Sequence, residues 1–214
     1  MLDCFIFSFP SGGVPLMKRI ILNYNLEVFS FVILMILLIR FLFYPSLSME
    51  HRILSAFMIT AILHEYEEKR IPGGFYELMA NKFRIPEERR HFEKAGLCVT
   101  IYWTVLLVTA SVFPHPALLT TLSTLGIFEA FIHTAGILIH KLRKPYTPGL
   151  VTAWIMAAVS IVTLRYLAAD SSVGTGTYIT GIILFLASFL VLETFTIHSF
   201  GMKFRDLRNN LTGR

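Results

Sequence analysis

Charge is scarce in this chain. Charged residues make up 15% of its 214 positions, against roughly 25% in an average soluble domain. Cysteine is nearly absent too. Cys4 and Cys98 are the two present, so no disulfide framework holds the fold. Cys98 lies in an apolar run and reads as a buried, inert thiol. Also missing are the alternating runs of about ten residues that a transmembrane barrel needs. Internal repeats and low-complexity segments are lacking. The apolar patch at 4–10 has no basic residue before it, where a signal peptide carries its positive charge. Residues 1–15 therefore read as an interfacial or loosely packed N-terminus.

What is abundant is apolar sequence. Hydrophobic residues reach 55% and the mean hydropathy is +0.64. A helix needs roughly 20 apolar residues to cross a bilayer. Six stretches qualify or nearly do: 26–44, 53–65, 95–113, 117–140, 149–169 and 177–200. The second is short and ends in polar residues. Irregular backbone is costly in hydrocarbon, so the expected fold is all-α, a polytopic membrane bundle of about six transmembrane helices forming one domain over 1–214. Pro114 and Pro116 make a tight turn between the third and fourth spans, and 171–176 a small polar one between the fifth and sixth. The longest loop is 69–94. In it, Phe75, Leu78, Met79 and Phe83 have helical spacing, which predicts a short helix lying in the interface.

With six spans, 16 of the 19 Lys and Arg residues fall on the side of the N-terminus, and Arg40, Arg52 and Arg165 on or near the other. Positive charge marks the cytoplasmic side, so both termini are expected in the cytoplasm. The net charge of +5 then reflects loops facing anionic headgroups and does not call for nucleic acid.

The second span ends His64-Glu65-Tyr66-Glu67-Glu68. Positions i, i+3 and i+4 share a helical face. His64, Glu67 and Glu68 thus form a half-site for a divalent metal or a proton-transfer group. The bland reading is a solvated helix end beside Lys69 and Arg70. The fourth span carries Glu129 and His133 at i and i+4, with His140 near its end. A carboxylate in mid-span is expensive unless paired, protonated or bound to a cation; a structural hydrogen bond is the plainer alternative. The sixth span carries Glu193 and His198. They lie about 140° apart around a helix, so one faces the bundle and the other does not. The second, fourth and sixth spans run in the same direction, which brings these residues to one half of the membrane. At the start of the fifth span, Thr147 is the expected N-cap and Pro148 the first helical residue. Tyr146 would then sit beside the cluster, its hydroxyl within reach of a substrate.

Three segments together resemble a bacterial membrane-protein family named for its HXXEE motif. They are 64–68 followed by Pro72-Gly73-Gly74-Phe75, the helix 128–133 ending in His133, and Tyr146-Thr147-Pro148-Gly149-Leu150-Val151-Thr152-Ala153, which is similar to the family's YXPG motif and its extension. By position, the resemblance carries over His64, Glu67, Glu68, His133, Tyr146, Pro148 and Gly149. Glu129, Glu193 and His198 come from topology alone. The family is of unknown function, and its motifs imply an enzyme. Intramembrane prenyl-protein proteases carry Glu-Glu-x-x-x-Arg; here position 72 is Pro72, which departs from that pattern.

The expectation is a membrane-embedded metal-dependent enzyme, a hydrolase acting on a lipid or lipid-linked substrate at the cytoplasmic side. His64, Glu67, Glu68, Glu129, His133 and His198 are the candidate ligands of a Zn, Fe or Mn ion. Glu67, Glu68 and Tyr146 are the candidate catalytic residues, and membrane lipids the expected partners. Two alternatives stand beside it: a proton-coupled transporter using Glu129 and His133, and a non-catalytic scaffold subunit.

Overall fold

The structure is a computed structural model and describes residues 16–43, 46–139, 142–143 and 145–212. The expectations for residues 1–15, Cys4 and His140 lie outside the described residues. α1 (Leu16–Asn23) leads into α2 (Asn25–Phe43), α3 (Met49–Lys69) and α4 (Phe75–Lys82). A single 3-10 turn at Glu87–Arg89 precedes α5 (Phe92–Val112), α6 (Pro116–Ile139), α7 (Leu150–Ala169), α8 (Thr175–Ser199) and α9 (Phe204–Thr212). No strand occurs among the described residues. The fold is all-α.

α2, α5, α6, α7 and α8 are five helices long and apolar enough to cross a membrane. The chain is a multi-pass integral membrane protein. Phe31, Phe41, Leu138 and Phe195 project outward, a surface that water penalises and acyl chains accept. α3 has 21 residues, but Glu50, Arg52, Glu65, Glu67, Glu68 and Lys69 dilute it. The six spans read from sequence are thus five apolar helices plus this polar-ended one. α3 packs against α2, α5 and α7, and Glu65, Glu67 and Glu68 are buried at its end among them. Its Leu54, Phe57, Met58 and Ala61 are wholly buried in a core shared with Leu26, Leu107, Leu122 and Met156.

The helix expected within 69–94 is α4. Its Ala80 packs with Ile85, Ala95, Ile197, Phe200 and Met202 in a second apolar cluster. That cluster ties α4 to the start of α5 and the end of α8.

Membrane helices gain little from the hydrophobic effect against one another, so close approach through small residues holds them together. Gly126 on α6 is such a residue. A Cβ there would overlap the Ser160 hydroxyl of α7 and come within 3.0 Å of Met156 Cγ. Tight α6–α7 contact matters because α6 carries Glu129 and His133, and the start of α7 packs against them.

Gly126→Ile should therefore cost about 1–3 kcal/mol by overpacking, read as a lower melting temperature in detergent. Gly174→Ala, whose added Cβ meets nothing within 4 Å, should leave it unchanged. Equal melting of the two variants would refute the close contact.

Candidate functional site

A helix turns about 100° per residue, so Glu65, Glu67 and Glu68 lie at about +100°, −60° and +40° from His64. Each meets a different neighbour. Glu65 faces α5, where Trp103 Nε1 donates to its Oε1 at 2.9 Å. Lys69 Nζ pairs with its other oxygen at 2.6 Å. Glu68 faces α6. Its Oε1 lies 3.0 Å from His133 Nε2 and 3.6 Å from His64 Nε2.

Glu67 faces the N-terminus of α7. Its carboxylate accepts the backbone N–H groups of Val151 at 3.2 Å and Thr152 at 2.8 Å. It also accepts the Thr152 hydroxyl at 2.5 Å and the Tyr146 hydroxyl at 2.9 Å. A helix N-terminus leaves its first N–H groups without partners and carries partial positive charge, and the carboxylate answers both.

Glu129, one turn before His133 on α6, places Oε2 3.8 Å from the Nε2 atoms of both His64 and His133. The two rings stand perpendicular, 5.1 Å apart. One atom each from His64, Glu129 and His133 fall within 4.8 Å of one another, as metal ligands do. Both histidines are buried, at 2% and 1% exposure.

Hydroxyl protons assign the roles of the ring nitrogens, since each threonine has one proton to give. Thr152 gives its proton to Glu67, so its oxygen accepts from His64 Nδ1 at 3.1 Å. Thr147 gives its proton to the His133 carbonyl at 3.0 Å, so its oxygen accepts from His133 Nδ1 at 3.3 Å. Both imidazoles then carry their proton on Nδ1 and turn Nε2 toward Glu68 and Glu129. His133 Nε2 is buried with no hydrogen-bond partner.

The loop before α7 makes room for this. Gly149 has φ +93°, and a Cβ there would lie 2.5 Å from His133 Cε1 and 2.9 Å from Glu68 Cγ. Its left-handed backbone also moves the helix start. Gly149, not Thr147, is the N-cap, and α7 begins at Leu150. Pro148 stays in the preceding turn, and Thr147 is turned onto His133 instead.

A cavity of about 300 Å³ adjoins the group, with His64, Glu68 and Glu129 in its wall. Phe75, Met79, Phe128, Ile132 and Phe189 make much of the rest. Glu193 lines it, so α8 does turn this carboxyl into the bundle.

Three expectations need correction. Glu67 is not brought into the His64–His133 group, because both its oxygens are engaged by α7. His198 is exposed and donates Nδ1–H to Thr194 O at 2.7 Å, on its own helix. Tyr146 is turned onto Glu67 rather than into the cavity. Burial and the Glu67 carboxylate push its phenol up to about 12, so it stays a neutral donor at physiological pH. The sequence reading missed Thr147, Thr152 and the Trp103–Glu65–Lys69 set. Both threonines had a signal, their place inside the YXPG-like segment and its extension; their roles follow only from how Glu67 and His133 meet the start of α7.

Fold and site define a multi-pass helical membrane protein with two histidines and two carboxylates gathered beside an internal cavity. More particularly, the chain belongs to the family described as proteins of unknown function with an HXXEE motif, whose model matches residues 55–163. His64, Glu68, Glu129 and His133 all lie within that match; Glu193 and His198 lie beyond it. No curated protein and no solved structure matches the chain.

If Glu67 caps α7, Glu67→Ala should lose about 1–3 kcal/mol, as for buried donors left unsatisfied. Hydrogen exchange at the Val151 and Thr152 amides should quicken. Unchanged exchange at both would show that the cap is not formed.

Proposed function

We propose that the chain is a membrane-embedded metal-dependent enzyme, a hydrolase acting on a lipid or lipid-linked substrate at the cytoplasmic side of the membrane. One observation carries the reading. Two buried imidazoles, each with its proton held on Nδ1 by a threonine, turn bare Nε2 atoms toward the same pair of carboxylates. Two lone pairs and two carboxylates in one dry space repel one another unless a cation joins them.

His64, His133 and Glu129 would hold that ion. Two histidines and one carboxylate suit Zn or Fe, and Mn remains compatible with the carboxylates. When bound, the ion supplies Lewis acidity toward water and toward the oxygen of a scissile ester or phosphoester. Glu68 stands beside the three ligand atoms and is placed to take a proton from the attacking water. Thr147 and Thr152 keep the imidazoles oriented, an arrangement usual around metal-binding histidines. Glu67 and Tyr146 act through Thr152 as positioning residues. The apolar cavity wall excludes bulk water and receives the apolar part of the substrate. The split of basic residues supports the cytoplasmic placement.

The same distances also fit two imidazolium ions paired with Glu68 and Glu129, the proton store that a proton-coupled carrier would use. Elemental analysis separates the two. Protein purified without chelator should carry a divalent ion, lost in His64→Ala and His133→Ala and retained in His198→Ala. Thr152→Val, which removes the acceptor at His64 Nδ1, should weaken metal affinity roughly 10–100-fold. Metal-free wild-type protein that takes up none of Zn, Fe or Mn would overturn the reading.

A further inference from the structure

Two cavities meet at Glu68 and Tyr76. The apolar one, about 300 Å³, is bounded by α4, α5, α6 and α8 and ends at the His/Glu group. The other, about 340 Å³, has a polar wall that includes Asn25, Lys69, Arg70, Glu77 and Glu93. Glu68 and Tyr76 belong to both walls. The Tyr76 hydroxyl is enclosed and has no hydrogen-bond partner, and neither has Asn25 Oδ1. A buried polar atom without a partner is costly, so two of them at adjoining cavities mark places where a bound molecule supplies the missing hydrogen bonds.

Size limits that molecule. An apolar cavity of about 150 Å³ takes one benzene, six carbons, so one of about 300 Å³ takes on the order of ten carbons. That is one chain of medium length and not the pair of a phospholipid. The polar wall mixes acids and bases. Lys69 pairs with Glu65, and Arg70 with Glu27 at 2.8 Å, while Glu77 and Glu93 supply further negative charge. The two bases are thus already paired and the charge left over is acidic, which suits a head that carries a cation.

We infer that the site takes a single-chain amphiphile, its hydrocarbon chain in the apolar cavity, its polar head in the polar one, and the junction of the two beside Glu68 and the Tyr76 hydroxyl. This rests on the hydrolase reading for its consequence but not for its test. Chain binding needs the cavity alone.

Trp103 provides the reporter. It lines the apolar cavity and is one of two tryptophans; the other, Trp154, is 57% exposed on α7 and can be removed as Trp154→Phe. The full chain with that change is placed in nanodiscs of unlabelled two-chain phosphatidylcholine. It is then titrated with a lysophosphatidylcholine whose medium-length chain carries bromine, a contact quencher. Most of the Trp103 emission should be lost, with saturation near one amphiphile per chain. Nanodiscs made of brominated two-chain phosphatidylcholine should quench far less. Val99→Phe, which narrows the cavity wall, should abolish the saturable loss while circular dichroism stays unchanged; Met79→Phe serves the same end should Val99→Phe fail to fold. His198→Ala, at an exposed position outside both cavity walls, should quench as the parent does. Protein that takes up none of Zn, Fe or Mn yet still shows saturable quenching would sink the hydrolase reading and spare this one. Equal quenching by one-chain and two-chain lipid, or undiminished quenching in both cavity variants, would overturn the inference.

Discussion

The carboxylate of Glu67 on the N-terminus of α7 is the interaction on which the rest of the site depends. It joins two segments 79 residues or more apart in sequence, and it does so through groups a helix start must satisfy in any case. Once Glu67 holds the Thr152 hydroxyl proton, the Thr152 oxygen can serve only as an acceptor. His64 must then donate from Nδ1, and its Nε2 is left facing Glu68 and Glu129. A cap, a helix orientation and a tautomer follow from one carboxylate. The HXXEE segment and the Tyr146–Gly149 segment are therefore held together as one unit: Tyr146 and the α7 amides answer Glu67, Thr147 answers His133, and Gly149 leaves the space in which His133 and Glu68 meet.

Much of this was legible in the sequence, and the part that was not has a physical reason. Apolar run lengths located the helices, and the spacing of Phe75, Leu78, Met79 and Phe83 located α4. The shared direction of alternate spans brought His64, Glu68, Glu129 and His133 together. Sequence spacing treats i+3 and i+4 as one face, yet Glu67 and Glu68 diverge by about 100° around the helix. In a bundle where α3 is enclosed by several helices, that angle is the difference between α7 and α6. The same blindness applied to His198. Its 140° separation from Glu193 told that one of the pair would leave the bundle, and not which one. The start of α7 was misjudged by position, since a proline and a threonine signal a start less strictly than a glycine at positive φ whose missing side chain leaves room for His133 and Glu68.

α3 shows how a membrane protein carries dense charge. Glu65 is almost wholly buried, a state that an isolated carboxylate could not hold in so dry a place. Lys69, one turn later, and the Trp103 indole N–H engage its two oxygens. Glu67 is answered by backbone amides and hydroxyls, and Glu68 faces two histidine Nε2 atoms that bring it no proton. Three acids within four residues thus meet three different surroundings. The first two have a donor or a cation of the protein at each oxygen. The third does not, because His133 Nε2 has no hydrogen-bond partner and the Glu129 carboxylate adds charge without adding a donor. Chemistry is to be sought where that satisfaction stops.

The division of the chain follows from this. The family model ends at residue 163, after the residues that gather the His/Glu group. A large part of the apolar cavity wall comes later, from Phe189, Leu192, Glu193, Ile197 and Phe200. α8 reaches the site without belonging to its motif, and α4 is held over it by packing against α8. The group that would do the chemistry is rigid because helix caps and hydrogen bonds over-determine it. The wall that would select a substrate is built from apolar contacts, which tolerate exchange of one side chain for another of similar volume. On the proposed function, the motif would set the reaction and the later helices would set what enters.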